Sequence, residues 1–311
     1  MYFGSNDIKG VLNLICGLIK DSIFICQTDN IFFFFEILNE GNFSLKISSE
    51  NDISAIIPHF SEEESNREIY HLRALKSVTD NFEVLTNNKE IILNFHLDIV
   101  VFKETTIDYQ NLMDEFVVLA LLNRGAEILI KDATRKHVNQ NYFSFPEGVF
   151  YLYERIKRDT LRKPEFDLLY DNHIKGNKYQ IAVTYRLDWH PDPVVVSFAN
   201  DINTTNGGSL VAGVIDGLIL ASKKYVKDNK LSTHKIKRRK FFNGLIIVCS
   251  VRGKDLEFGG SQRESLATEE VRTQSKEIVS KLVNDYLNNN KIQADRFLSR
   301  FDDENFMNKM Y

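Results

Sequence analysis

"SFANDINTTNGGSLVAGV" spans Ser197–Val214. Its first residues, with Val194–Val196 before them, form an apolar run long enough for a buried strand. A polar turn follows, carrying Asn200, Asn203, Thr204 and Thr205. Gly207 and Gly208 come next. They stand directly before Leu210, Val214, Leu218 and Ala221, whose spacing puts them on one face of a helix. Adjacent glycines at a helix mouth let the backbone approach another group closely, because no Cβ stands in the way.

Working outward, "GLIIVCSV" (Gly244–Val251) predicts a buried strand, and Glu269 to about Leu287 predicts a long amphipathic helix. Upstream, "NKYQIAVTYRLDW" alternates: Tyr179, Ile181, Val183, Tyr185, Leu187 and Trp189 share one face. That pattern predicts a half-buried antiparallel strand, with "PVVVSFAN" pairing against it after the tight link "HPDP". Residues 147–160 predict a helix, and the polar "NQNYFSFPEG" marks a domain boundary near 140–148. Earlier come a helix over 8–25 and strands Ile31–Leu38 and Phe43–Ile47 joined by "NEGN". An acidic stretch covers 61–68, and a hairpin over 81–95 turns at Asn87-Asn88. A helix through Leu112, Phe116 and Leu119 ends with Gly125 at the first position past its cap, and "AEILIKD" predicts a strand. The fold class expected is α+β in two domains.

Composition fits that reading. The chain has 311 residues, 43% hydrophobic and 26% charged, with net charge -4. Such a length can bury two cores. Cys16, Cys26 and Cys249 sit in apolar runs and read as reduced core residues of a cytosolic protein. The seven histidines are scattered, and no Cys/His ligand set exists for zinc. The N-terminus lacks the marks of a signal peptide, and the apolar core of "NIFFFFEIL" is too short to cross a bilayer. "WHPDP" reads as a tight strand connection and "DATRKH" as a solvated turn, rather than as metal or catalytic sites.

The turn, the double glycine, the helix and then "NGLIIVCSVRGKDLEFGGSQRESL" resemble the transducer domain of the B subunits of DNA gyrase and bacterial topoisomerase IV. "MYFGSNDIKGVLNLI", "IILNFHLDIVVFKETTIDYQNL" and "LLNRGAEILIKD" resemble the ATPase domain of the same family. The resemblance covers about 1–290. It implies a Bergerat-type (GHKL) ATPase sandwich over 1–145 and a transducer resembling ribosomal protein S5 over 146–290; the charged tail over 291–311 reads as helical or frayed. It implies that ATP binding pairs two B subunits around DNA, in the cytoplasm at the nucleoid. It also implies a glutamate base on the first helix, an adjacent asparagine holding Mg2+, an aspartate and a threonine that read adenine, and glycine-rich turns around the phosphates.

Position by position, the chain departs from that set. Gly17 stands where the glutamate belongs and has no carboxylate. Asp21 replaces the asparagine. It can serve as a magnesium ligand or be a surface aspartate. The adenine-reading aspartate falls on Asp52 with an insertion, or on Ile47 without one, and the threonine falls on Ile92. There is no glycine between Gly41 and Gly125. The phosphate turns are replaced by "ISAII" (53–57) and "NREIYH" (66–71). In the transducer loop Ser261 and Arg263 replace a glutamine and a lysine, and Ser209-Leu210 replaces Thr-His.

The signature of a metal-binding TOPRIM domain is absent from the sequence. One feature is added: "KKYVKDNKLSTHKIKRRK" (223–240) holds nine Lys/Arg and one acid, where the family is acidic. Lys235, Lys237, Arg238, Arg239 and Lys240 are candidate contacts to a phosphate backbone, set against a plain solvated charge run. Two functions follow. One is a gyrase B-like protein that lost ATP hydrolysis, has no cofactor, and binds DNA, a topoisomerase subunit or its own copy. The other is the ATPase-transducer part of a split ATP-dependent type II topoisomerase, with Asp21, Asp52 and Arg263 as surviving contacts to Mg2+ and ATP.

Overall fold

The computed structural model describes residues 7–26, 30–60, 70–134, 138–158, 166–186, 192–231, 236–289 and 291–301. The acidic stretch 61–68, Lys235, Leu187 and Trp189 lie outside the described residues. The chain divides into two units, Met1–Gly148 and Val149–Tyr311.

The first unit begins with α1 (Ile8–Cys26), β1 (Ile31–Asn39) and β2 (Asn42–Ser49). A 3-10 segment (Ser54–Phe60), α2 (Tyr70–Leu75), β3 (Thr79–Asn87) and β4 (Glu90–Leu97) follow. Then come α3 (Tyr109–Leu122), β5 (Ala126–Asp132) and β6 (Asn139–Ser144). The six strands form one sheet in the order β3-β4-β2-β1-β5-β6. Pairing is antiparallel except between β1 and β5. That parallel pair needs a long crossover, and the chain between them supplies it. The run of phenylalanines in β1 looks uniformly apolar, yet only alternate residues reach the core: Ile31, Phe33, Phe35 and Ile37 are buried, while Phe32 and Phe34 are half-buried on the other face. α1 and α3 supply Leu14, Leu18, Phe116 and Leu119 to the same core. Phe116 meets Phe35 edge-on at 5.7 Å between ring centroids.

Three expectations shift here. The β3–β4 loop is Asn88-Lys89, one residue later than expected, since Asn87 pairs with Glu90. α3 is capped by Asn123, whose N–H bonds the Leu119 carbonyl, so Gly125 (φ 86°) falls one position later than expected. Residues 139–144 are a strand paired with β5 rather than a linker. Their polar side chains suit an edge strand.

The second unit holds α4 (Val149–Arg158), β7 (Asp167–Ile174), β8 (Asn177–Tyr185), β9 (Val194–Ala199) and β10 (Ile202–Asn203). Next are α5 (Ser209–Asp228), β11 (Leu245–Arg252), β12 (Phe258–Gly259) and β13 (Ser265–Leu266), then α6 (Glu269–Asn289) and α7 (Lys291–Ser299). Its main sheet runs β10-β9-β11-β8-β7. β9 does not pair with β8. It lies parallel to β11, which stands between them, and α5 is the crossover that a parallel pair requires. β8 is a central strand buried on both faces rather than half-buried, with Ala182 and Thr184 as inaccessible as Tyr179 and Val183. β7 was not expected. It is an exposed edge strand joined to β8 by Lys175 (φ 48°) and Gly176 (φ 85°), two consecutive left-handed residues as tight hairpins need.

The C-terminal stretch is helical to Ser299 and packed, rather than frayed, as far as residue 301. α7 buries Ala294, Phe297 and Leu298, and Phe301 stacks on Phe241 at 3.9 Å. Burial pushes the thiols of Cys16 and Cys249 up to about 12, which suits inert core residues.

α5 and α6 pack backbone to backbone. A Cβ on Gly213 would lie 2.0 Å from Ser275 Oγ and 2.4 Å from the Arg272 carbonyl oxygen. One on Gly217 would lie 2.7 Å from the Lys276 carbonyl oxygen. Gly213→Ala should therefore force the helices apart and destabilise this unit by about 1–3 kcal/mol, as overpacking does. Urea unfolding followed by circular dichroism measures it, with the exposed Lys281→Ala expected within about 0.5 kcal/mol of wild type.

Candidate functional site

The site that the sequence singled out on α1 is closed by contacts within the first unit. Gly17 lies in the buried stretch of α1, and Asp21 follows one turn later. A Cβ on Gly17 would lie 2.1 Å from His71 Cδ2 and 2.2 Å from His71 Cγ. The imidazole of α2 thus fills the space that a side chain at position 17 would enter. Asp21 is buried, at 4% exposure, rather than on the surface. Its Oδ2 accepts the backbone N–H groups of His71 (2.8 Å) and Leu72 (3.1 Å), and its Oδ1 lies 3.2 Å from His71 Nδ1. A carboxylate on the first turn of a helix satisfies N–H groups that have no partner within the helix. One residue therefore fixes both the helix and the imidazole over Gly17. The Tyr70 ring lies 3.9 Å from the imidazole, centroid to centroid.

The other nucleotide positions are scattered. Ile47 is fully buried in the core, as are Ile53 and Ile56 of the segment that replaces the first phosphate turn. Asp52 is exposed and accepts the Ser54 N–H at 2.8 Å. Hydrogen bonds from the Ser54 side chain and backbone hold its carboxyl below the usual range. Ile92 pairs with Lys46 on the half-buried face of the sheet, while its neighbours Ile91 and Leu93 face the core. No three His, Cys, Asp or Glu side chains among the described residues cluster as a metal site.

In the second unit, the polar turn after β9 turns out to be a strap. Asn200 (φ 51°) exchanges two 3.1 Å hydrogen bonds with the Gly253 backbone. Thr204 Oγ1 donates to the Ser197 carbonyl at 3.0 Å. Gly207 accepts the Leu266 N–H at 3.1 Å, and a Cβ on Gly208 would lie 2.2 Å from the Leu266 carbonyl oxygen. The double glycine admits the β13 backbone. Arg263 (φ 59°) is exposed on the adjoining loop, with its guanidinium 5.7 Å from the Phe258 ring.

The basic stretch ends in a 3-10 turn, Arg238–Phe242, anchored by buried Phe241. Lys237, Arg238 and Arg239 are exposed and Lys240 is half-buried. Arg238 donates to Asp216 Oδ1 at 2.8 Å, while Arg272 donates to Asp216 Oδ2 at 2.8 and 3.1 Å. Burial pushes the Asp216 carboxyl up, but the hydrogen bonds from Arg272 and Arg238 outweigh it and hold the group below its usual value.

The family model for DNA gyrase B matches residues 149–305, just over half of the chain. The chain belongs to the DNA gyrase B family. The DNA gyrase B protein of Archaeoglobus fulgidus is 29% identical over 223 residues, 70% of this chain and 34% of that protein. The DNA topoisomerase 4 B protein of Mycoplasma capricolum is 25% identical over 211 residues, 66% of this chain and 32% of that protein. The chain thus spans about a third of the length of these curated relatives. The ATPase domain of Thermus thermophilus gyrase B, solved with an aminocoumarin, superposes with a TM-score of 0.75 at 16% identity, covering 96% of this chain and 90% of that one. The fold is that of the gyrase B ATPase region.

Within this gyrase B fold, the donor set expected for Mg2+ and ATP does not fit among the described residues. Position 17 carries no base, both Asp21 oxygens are hydrogen-bonded, and the core around Ile47, Ile53 and Ile56 is apolar. His71 and Asp216 were missed by sequence reasoning. His71 lies 50 residues from Asp21, and Asp216 lies 22 and 56 residues from its arginines. The available signal was polar: Asp21 and Asp216 each interrupt an apolar helical run.

The contact over Gly17 generates a double-mutant cycle. Gly17→Ala should cost about 1–3 kcal/mol by driving the imidazole aside. In the His71→Ala background the same change should cost well under half as much, because nothing then occupies the space. Equal costs in both backgrounds, by chemical denaturation, would show that the imidazole does not fill it.

Proposed function

We propose that this gyrase B-family chain no longer hydrolyses ATP and works by binding DNA, a gyrase or topoisomerase subunit, or a second copy of itself. Residues 1–145 are the altered GHKL ATPase domain, and the unit after it is the transducer. The observation that carries this reading is the His71 imidazole seated on Gly17, where the family's glutamate would stand. Without a carboxylate there, no group is positioned to orient or deprotonate the attacking water. Asp21, the expected magnesium ligand, already serves two backbone N–H groups. DNA as a partner rests on the exposed basic turn, and the proposal has the protein act in the cytoplasm at the nucleoid. Arg238 is held by Asp216, and Lys237, Arg239 and Lys240, with Lys235 before them in the sequence, are the proposed phosphate contacts.

A second reading rests on Arg263, an exposed cation on the loop where the family keeps its lysine. Under it the chain is the ATPase-transducer part of a split type II topoisomerase, with ATP and Mg2+ as cofactors.

Two measurements test the first reading. Calorimetry with Mg2+ and a non-hydrolysable ATP analogue should show no heat of binding; micromolar affinity accompanied by turnover overturns it in favour of the second. Gel shifts across a salt series should show duplex binding with little sequence preference. Replacing Lys237, Arg239 and Lys240 by Gln should reduce the slope of log K against log salt by about three units. An unchanged slope removes the basic turn as the DNA contact.

A further inference from the structure

α2 carries a cation without a counterpart among the described residues. Arg73 stands two residues beyond His71, about 200° further round the helix axis. It therefore leaves α2 on the side away from the Gly17 contact. Leu72 and Leu75 are fully buried and fix the helix in the core. The Arg73 side chain is half-buried, and its Nε and Nη2 are closed to solvent with no hydrogen-bond partner among the described residues.

A guanidinium is a planar cation with five N–H donors and no acceptor. Burying such donors unpaired is heavily disfavoured. The identity of the two atoms is informative. Nε–H and Nη2–H lie on one edge of the guanidinium and point the same way, which is the fork that grips two oxygens of a phosphate or carboxylate side-on. The Asp21 carboxylate is committed to the first-turn N–H groups of α2 and to His71 on the other side of that helix.

We propose that Arg73 is the anchor of an oxyanion site taking a phosphate-class anion, held through Nε and Nη2. The site is separate from the position blocked by His71, and it stands whether or not ATP hydrolysis is lost. The anion is inorganic phosphate and not a nucleotide, whose place is taken by His71 and Asp21.

The test is thermal unfolding of the full chain at fixed ionic strength, in chloride, in inorganic phosphate, and with a non-hydrolysable ATP analogue. Wild type and Arg73→Met, which keeps the length and removes the charge, are compared. Phosphate at about 100 times its dissociation constant should raise the wild-type midpoint by about 3 °C or more. Arg73→Met should lose that shift and, in chloride, unfold no earlier than wild type, because an unpaired buried charge has been removed. A shift with inorganic phosphate, abolished by Arg73→Met, supports the proposal; a shift with the analogue alone overturns it. The proposal is overturned if neither anion shifts the wild type, or if the shift survives Arg73→Met. It is also overturned if Arg73→Met unfolds well below wild type in chloride. In that case the fork is paired with a carboxylate of the chain itself, as replacing Glu62, Glu63, Glu64 and Glu68 by Gln would then also show.

Discussion

The Asp21 carboxylate sets the geometry of the first unit's altered site. It is nearly inaccessible, so it must be satisfied within the protein, and it takes two backbone N–H groups and an imidazole nitrogen from α2. These are N–H groups of the kind that hold phosphate oxygens at helix starts in nucleotide-binding proteins. An internal anion here does the work of an external one. Once α2 is held that way, His71 can only lie on Gly17, and any larger residue at position 17 collides with it. The isoleucines of the 3-10 segment then complete an apolar core where a nucleotide site would need polar, close-approaching backbone.

The second unit depends on a different close approach. Gly213 and Gly217 bring α5 onto the α6 backbone, and Gly208 brings the helix entry onto β13. These contacts give the glycines of this unit their role: they pack main chain against main chain. Asp216 sits at the same helix pair and gathers Arg238 and Arg272, so the basic turn is tied to the fold rather than merely attached to it. A charge held like this adds less to a diffuse positive surface than an unpaired one does.

Much of this fold was legible because periodicity records which face is buried. The alternation in β1, β2 and β4 and the helical stripes of α1, α3, α5 and α6 placed those elements within a few residues. What was not legible was partnership. The short link before β9 points to a hairpin, yet a strand, a long helix and a strand in succession also fit a parallel crossover, and burial of β8 on both faces decides for the latter. β7 escaped because Leu168 is its only buried residue. α7 falls in the stretch expected to be helical or frayed; its burial was not legible because Lys291, Asp295 and Arg296 mask a short stripe of Ala294, Phe297 and Leu298. In the site, Gly17 stood out in the sequence, but the imidazole that lies against it did not, since His71 reaches Gly17 only through the fold.

The central claim is that Asp21 and His71 hold the place of a nucleotide permanently. Amide hydrogen exchange at His71 and Leu72, with and without saturating Mg2+ and ATP analogue, tests it directly, because these N–H groups are the ones Asp21 binds. Both amides should exchange slowly, at rates that the nucleotide leaves unchanged. Fast exchange without nucleotide, slowed on adding it, would mean that the site opens and that ATP still competes for these groups.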